Sequence, residues 1–277
     1  MAISFIGKGT AAAGTGSVTP TMHASSTTDD LLILIIEGEG EDASDDGIPT
    51  GGAWTLIDSV ASATDGAPDR TRCTVAWAWY DAGINLTVPD AGDHTLANVY
   101  TIRGADLTTP VEAFTIGSSS TNTTSHSAVT GLTTLTDGAR VFLAFTHGDD
   151  GTTIASWANT SLTDVDTTGA DTTTAGSDGT ICMLAGTKAT AGDAGTFTWT
   201  SGVSEEKAWV AFSVKPLVTA SLPITETWTG TNGATWPDQW TDLAGSGSYT
   251  VDIQSNEGRL LTDASGGYAV PTVLDPT

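Results

Sequence analysis

The chain has 277 residues, with 33 Asp and Glu against 9 Lys and Arg and a formal net charge of −24. So few cations cannot form the basic face that nucleic acid requires, nor the Lys/Arg cluster that holds a protein on anionic lipid. Long amphipathic helices are excluded too, because Lys and Leu are scarce and Thr is the commonest residue, while the 39% of hydrophobic residues suffices for a sizeable core.

The N-terminus, Met1 to Ile6, has no cationic start and no long apolar stretch. No signal peptide is expected, so the chain is made in a cytoplasm and either used inside the cell or released by lysis. From there the chain reads as short strands rich in β-branched and aromatic residues, separated by Gly, Asp, Ser and Thr clusters. The strands are predicted at residues 2–6, 31–37, 54–59, 73–80 and 96–103, then at 111–116, 140–146, 181–187, 196–200 and 208–214. The longest apolar run, Leu31 to Ile36, is far short of the ~20 residues that span a bilayer. It does not alternate, which predicts a central strand covered on both faces. Residues 72–80 alternate with the period of a half-buried strand.

A weak internal repeat runs through this pattern. Thr28-Asp-Asp-Leu-Leu-Ile33 opens a buried strand and an acidic loop, and Thr136-Asp-Gly-Ala-Arg-Val141 opens a strand and His147-Gly-Asp-Asp-Gly151. Trp54 matches Trp157 at an offset of 103 residues, and Arg103 matches Lys215 at 112. Cys73 matches Cys182, and cytoplasmic synthesis predicts two buried thiols. The fold class is therefore all-β, of β-sandwich or jelly-roll units in two similar halves. The halves are residues 1–117 and 118–217, sharing one core or packed side by side. Residues 218–277 read as a linker and a C-terminal arm or an incomplete jelly-roll start.

The sharpest chemical feature is the acidic stretch with Glu37, Glu39, Glu41, Asp42, Asp45 and Asp46. Hard cations take six to eight oxygens from flexible loops, so these residues, with Asp149 and Asp150 as the counterpart in the second half, are candidate Ca²⁺ ligands. The spacing is not that of an EF-hand, and a solvated acidic loop explains it equally. No other cofactor is expected. Alternation puts Glu37, Glu39 and Glu41 on one strand face, where paired carboxylates invite a glycoside hydrolase reading. They run into an exposed Gly- and Asp-rich loop, and Glu205-Glu206 reads as a polar strand edge, so no catalytic residue is assigned. The four His residues form no metal-ligand pair in sequence. Trp77 and Trp79 share a strand face as core or as a glycan-stacking platform. Trp228, Trp236 and Trp240 are too dense for a small core and suit anchors on a partner.

Several segments resemble virion structural proteins of tailed bacteriophages. These are Gly14-Thr-Gly-Ser-Val-Thr-Pro20 before Asp-Asp-Leu-Leu-Ile33, Gly52-Ala-Trp-Thr-Leu56 and Ile102-Arg-Gly-Ala-Asp106, together with Ser156-Trp-Ala-Asn-Thr-Ser-Leu-Thr163 and Gly186-Thr-Lys-Ala-Thr-Ala-Gly192. The resemblance covers residues 1–217. It implies a non-enzymatic part of the virion, either a head decoration or a tail- or fibre-associated protein. The partners it implies are capsid or tail proteins and further copies of the chain as a homo-oligomer. From Ile224 the tail resembles the first strands of a concanavalin/laminin-G-like jelly roll, which implies a carbohydrate- or receptor-binding alternative directed at host-surface glycan. Neither nucleic acid nor membrane is an expected partner.

Overall fold

A computed structural model describes residues 2–39, 47–62, 70–150, 153–176 and 178–217, and beyond them the backbone of four short strands. The chain divides into two compact units, Met1–Val218 and Thr219–Thr277. None of the described residues is helical, so no helix is long and apolar enough to cross a membrane.

The first sheet is built from β1 (Ser4–Lys8), β2 (Ala12–Gly14), β3 (Leu31–Glu39), β4 (Thr55–Ala61), β5 (Arg72–Trp79) and β6 (His94–Arg103). Its order is β1-β6-β3-β5-β4, with β2 on β6. Then come β7 (Val111–Val129), β8 (Thr133–Thr134), β9 (Ala139–His147), β10 (Ala155–Ala158) and β11 (Thr163–Thr167). They are followed by β12 (Asp171–Thr173), β13 (Gly179–Lys188), β14 (Gly192–Asp193) and β15 (Thr196–Val214). The second sheet is ordered β10-β15-β9-β13-β11, with β12 on β13 and β7 on β15, and β8 pairs with β14. Every pairing is antiparallel. The segment β6-β3-β5-β4 and the segment β15-β9-β13-β11 have the same connectivity, each with its first long strand at the centre. The strand β7 runs without a break through the junction of residues 117 and 118.

Period-2 alternation explains why the two sheets stack. Leu31, Ile33 and Ile35 of β3, with Cys73 and Val75 of β5 and Tyr100 and Ile102 of β6, point at one face. Phe142 and Ala144 of β9, Ile181 and Met183 of β13, and Val210 and Phe212 of β15 meet them there, forming one core between the sheets. The intervening residues Leu32, Leu34 and Ile36 face outward, under Val18, Trp54 and Val88. The apolar run therefore is a central strand covered on both sides. Each such side chain contributes about 1.5–3 kcal/mol by leaving water.

The outer face of the second sheet is covered differently. The pairing of β7 with β15 shifts register between Thr200 and Lys207, and the strand pair bends there. The bend brings Thr115 Oγ1 to within 2.6 Å of Thr130 O, to which it donates. It also lays Phe197 and Trp199 over Leu143, Phe145 and Leu184. Both cysteines are free and buried: Cys73 in the inter-sheet core and Cys182 in this outer cluster.

One end of the inter-sheet core is polar. Glu37 continues the inward parity of Leu31, Ile33 and Ile35, and its carboxylate is fully buried. Its Oε2 lies 2.6 Å from His94 Nε2, and Thr71 Oγ1 donates to its Oε1 at 3.0 Å. The Thr71 hydroxyl shares a 2.8 Å hydrogen bond with Thr146 of the facing sheet. Gly179 packs against the pair so closely that a Cβ there would overlap both Glu37 and His94. On the opposite end Arg103 grips Asp30 with two hydrogen bonds of 2.7 and 2.8 Å. In the second unit, residues Thr250–Gln254 pair with Glu257–Leu261, and Trp240–Thr241 with Val270–Pro271, both antiparallel.

Removing one side of a buried hydrogen bond costs more than removing both. Glu37→Ala is expected to lower unfolding free energy by about 1–3 kcal/mol in urea titrations, whereas Glu37→Leu with His94→Leu loses less than the single change. An equal or greater loss in the double variant contradicts the pairing.

Candidate functional site

The second sheet gathers carboxylates where β9 ends. Thr180 of β13 pairs with His147 of β9. Continuing that register two residues past the ladder puts Asp178 opposite Asp149. On the other side of β9, Ala208 of β15 pairs with Thr146, and extending that register by three residues brings Glu205 beside Asp149. The loop is tied back by Thr180 Oγ1, which donates to Asp149 O at 2.7 Å. One carboxylate oxygen each from Asp149, Asp150 and Asp178 lies within 4.8 Å of the others.

Of these, Asp149 and Asp178 open onto a cleft of about 250 Å³, which Asn122, Ser204, Glu205 and Glu206 also line. Among the described residues no Lys, Arg or His lines it. Glu206 is anchored across the sandwich, accepting from Ser62 Oγ at 2.7 Å. The Glu205 side chain is only 1% exposed, and neither of its carboxylate oxygens has a hydrogen-bond partner. Burial first, then the charges of Asp149 and Asp150, push its pKa up to about 8. Asp149 is raised by burial and by its neighbours Asp150 and Asp178.

His147 does not neutralise Glu205, although its Nδ1 lies 3.3 Å from Oε2. Its Nδ1 donates to Glu206 O at 2.7 Å, and its Nε2 accepts from Trp199 Nε1 at 3.2 Å. Both nitrogens are occupied in the neutral ring, and burial lowers its pKa to about 3. His126 stacks on Trp199 with ring centroids 5.2 Å apart. Ser201 gives its proton to Val203 O, so His126 Nε2 donates to Ser201 Oγ at 2.8 Å. Lys207 points elsewhere, donating to Ser127 O and lying 5.5 Å from the Trp199 ring.

The residues named from sequence fall in several places. Asp149 and Asp150 come together with Asp178 at the mouth of β9. Glu37 does not join an acidic loop; parity sends it into the inter-sheet core, where burial raises its pKa and His94 and Thr71 hold it. Glu39 ends β3, with its backbone opposite His94, while Glu41, Asp42, Asp45 and Asp46 lie outside the described residues. Trp77 and Trp79 are partly buried against the inter-sheet core and meet edge to face at 75°, which gives no continuous flat surface for a sugar ring. Trp228 and Trp236 lie outside the described residues, and Trp240 is described only as strand backbone paired with Pro271. Asp178 and Glu205 join the site without a ligand motif in the sequence. The signal for Asp178 is its position just before a strand antiparallel to β9; Glu205 is marked only by a register break.

Compared with protein-family models, with curated proteins and with solved structures, the chain matches none.

The buried His126 sets a pH test. Burial, then the nearby Lys207, lowers its pKa from 6.5 to about 4. The unfolded chain takes up the proton first, so this ring's contribution is complete above about pH 6.5 and is lost as pH falls toward 4. Urea midpoints of the native chain and His126→Gln, compared at pH 7 and pH 4, should show the native chain losing on the order of 2–3 kcal/mol relative to the variant. A constant difference would refute a neutral buried ring.

Proposed function

We propose that the chain is a non-enzymatic structural component of a tailed-phage virion, a head decoration or a tail- or fibre-associated protein, acting through repeated protein–protein contacts. The observation that carries this reading is the edge strand β7. It is 19 residues long, and among the described residues no strand pairs with its far edge. Along it Phe114 and Ile116 are 49% and 42% exposed. Long exposed edges recruit strands from neighbours, and natural proteins leave them open where a partner covers them. The resemblance of residues 1–217 to virion proteins supports the same reading. So does the charge of −24, which keeps closely packed copies soluble.

The glycan-binding alternative is weakened by Trp77 and Trp79, which are packed on the core and tilted to each other.

Antibody against the chain, applied to purified phage particles, is expected to label symmetry-related positions in electron micrographs, and Phe114→Asp with Ile116→Asp is expected to reduce incorporation at least tenfold. Particles that lack the chain, or full incorporation of the variant, would contradict the reading. A glycan-array signal abolished by Trp77→Ala and Trp79→Ala would favour the alternative.

A further inference from the structure

We propose that Asp149, Asp150 and Asp178, with Glu205 behind them, form a site for a hard divalent cation of the calcium class. The inference does not depend on the virion reading. Calcium binds oxygens at roughly 2.3–2.6 Å, so ligands on opposite sides of one ion lie about 5 Å apart. The oxygens of Asp149, Asp150 and Asp178 are all within 4.8 Å of one another, already the span of a single coordination sphere.

Glu205 is the independent observation. Its carboxylate is 1% exposed, has no hydrogen-bond partner and lines the same cleft. A buried carboxylate without partners is costly, and native structures rarely leave one without a reason. His147 cannot supply that reason, since its two nitrogens are engaged by Glu206 O and Trp199 Nε1. Lys207 is engaged at Ser127 O. A cation in the cleft would offset all four carboxylates together, and Ser204 and Asn122 line the same space with further oxygens.

The chemistry selects among metals. With no free imidazole and no thiol among the lining residues, zinc has none of its preferred ligands. Magnesium demands a near-ideal octahedron, whereas ligands drawn from two loops and a strand bulge suit the larger, adaptable calcium sphere. Bound there, the ion would tie the ends of β9 and β13 to the bend in β15. The site would thus act as a clasp on the second sheet.

The test is thermal melting and isothermal titration of the full chain, stripped with chelator and then given calcium or magnesium alone. At a calcium concentration one hundred times the dissociation constant, Tm should rise by about 5–10 °C. Asp178→Asn should weaken calcium binding at least tenfold. Asp178 has φ +69°, a conformation that Asn also tolerates, so this variant keeps the fold. The proposal fails if calcium up to ~10 mM leaves Tm unchanged, since even the weakest protein calcium sites would bind at that level. It also fails if Asp149→Asn with Asp178→Asn binds as tightly as the native chain, which would move the cation to the acidic stretch after β3. Equal affinity for magnesium would overturn the calcium assignment.

Discussion

Everything in the first unit depends on two apolar sheet faces being buried against each other. Neither face is complete alone. Leu31, Ile33 and Ile35 need Phe142, Ala144, Val210 and Phe212 opposite them, and the reverse holds equally. A half-chain would leave one entire sheet face in water, at roughly 25 cal/mol for each Å² exposed. The same geometry fixes what polar groups can do. A side chain of inward parity at a strand end must find its partner within the sandwich, as Glu37 does with His94 and Thr71.

The two ends of β9 show how position along a strand converts packing into chemistry. At its middle, Phe142 and Phe145 fill the two apolar clusters. At its exit, Thr146 and His147 are buried but polar, and one residue further on the chain reaches solvent with Asp149 and Asp150. The neighbours β13 and β15 are antiparallel to β9, so their residues at that level are again a loop carboxylate and a bulge carboxylate. The acidic cleft is thus a consequence of three strand ends meeting. The surplus of negative charge elsewhere remains on turns, where it serves solubility.

Much of the fold was legible because it rests on alternation. The unbroken run Leu31–Ile36 announced a doubly covered strand, and all ten predicted strands lie in or overlap observed ones. The long strands β7 and β15 extend beyond the segments that the pattern predicts. Residues 117–126 are Gly, Ser, Thr, Asn and His, which have no apolar alternation to mark a strand and are held extended by their partner. Glu37 closes the predicted strand and also heads the acidic stretch; its parity with Leu31, Ile33 and Ile35, rather than its acidic neighbours, decides its place in the core. Of the cleft, Asp149 and Asp150 were visible as adjacent acids. Asp178 and Glu205 are separated from them by 29 and 56 residues (178 − 149 and 205 − 149), and only the register brings them together.

The interdependence of the sheets is most directly measured by native-state amide hydrogen exchange on the full chain. Backbone amides in the centres of β3 and β9 should exchange at the same, highest free energy and with the same denaturant dependence, because one core holds both strands. If β3 opens at a distinctly lower free energy while β9 stays protected, the sheets fold as separate units and the account of a single shared core is wrong.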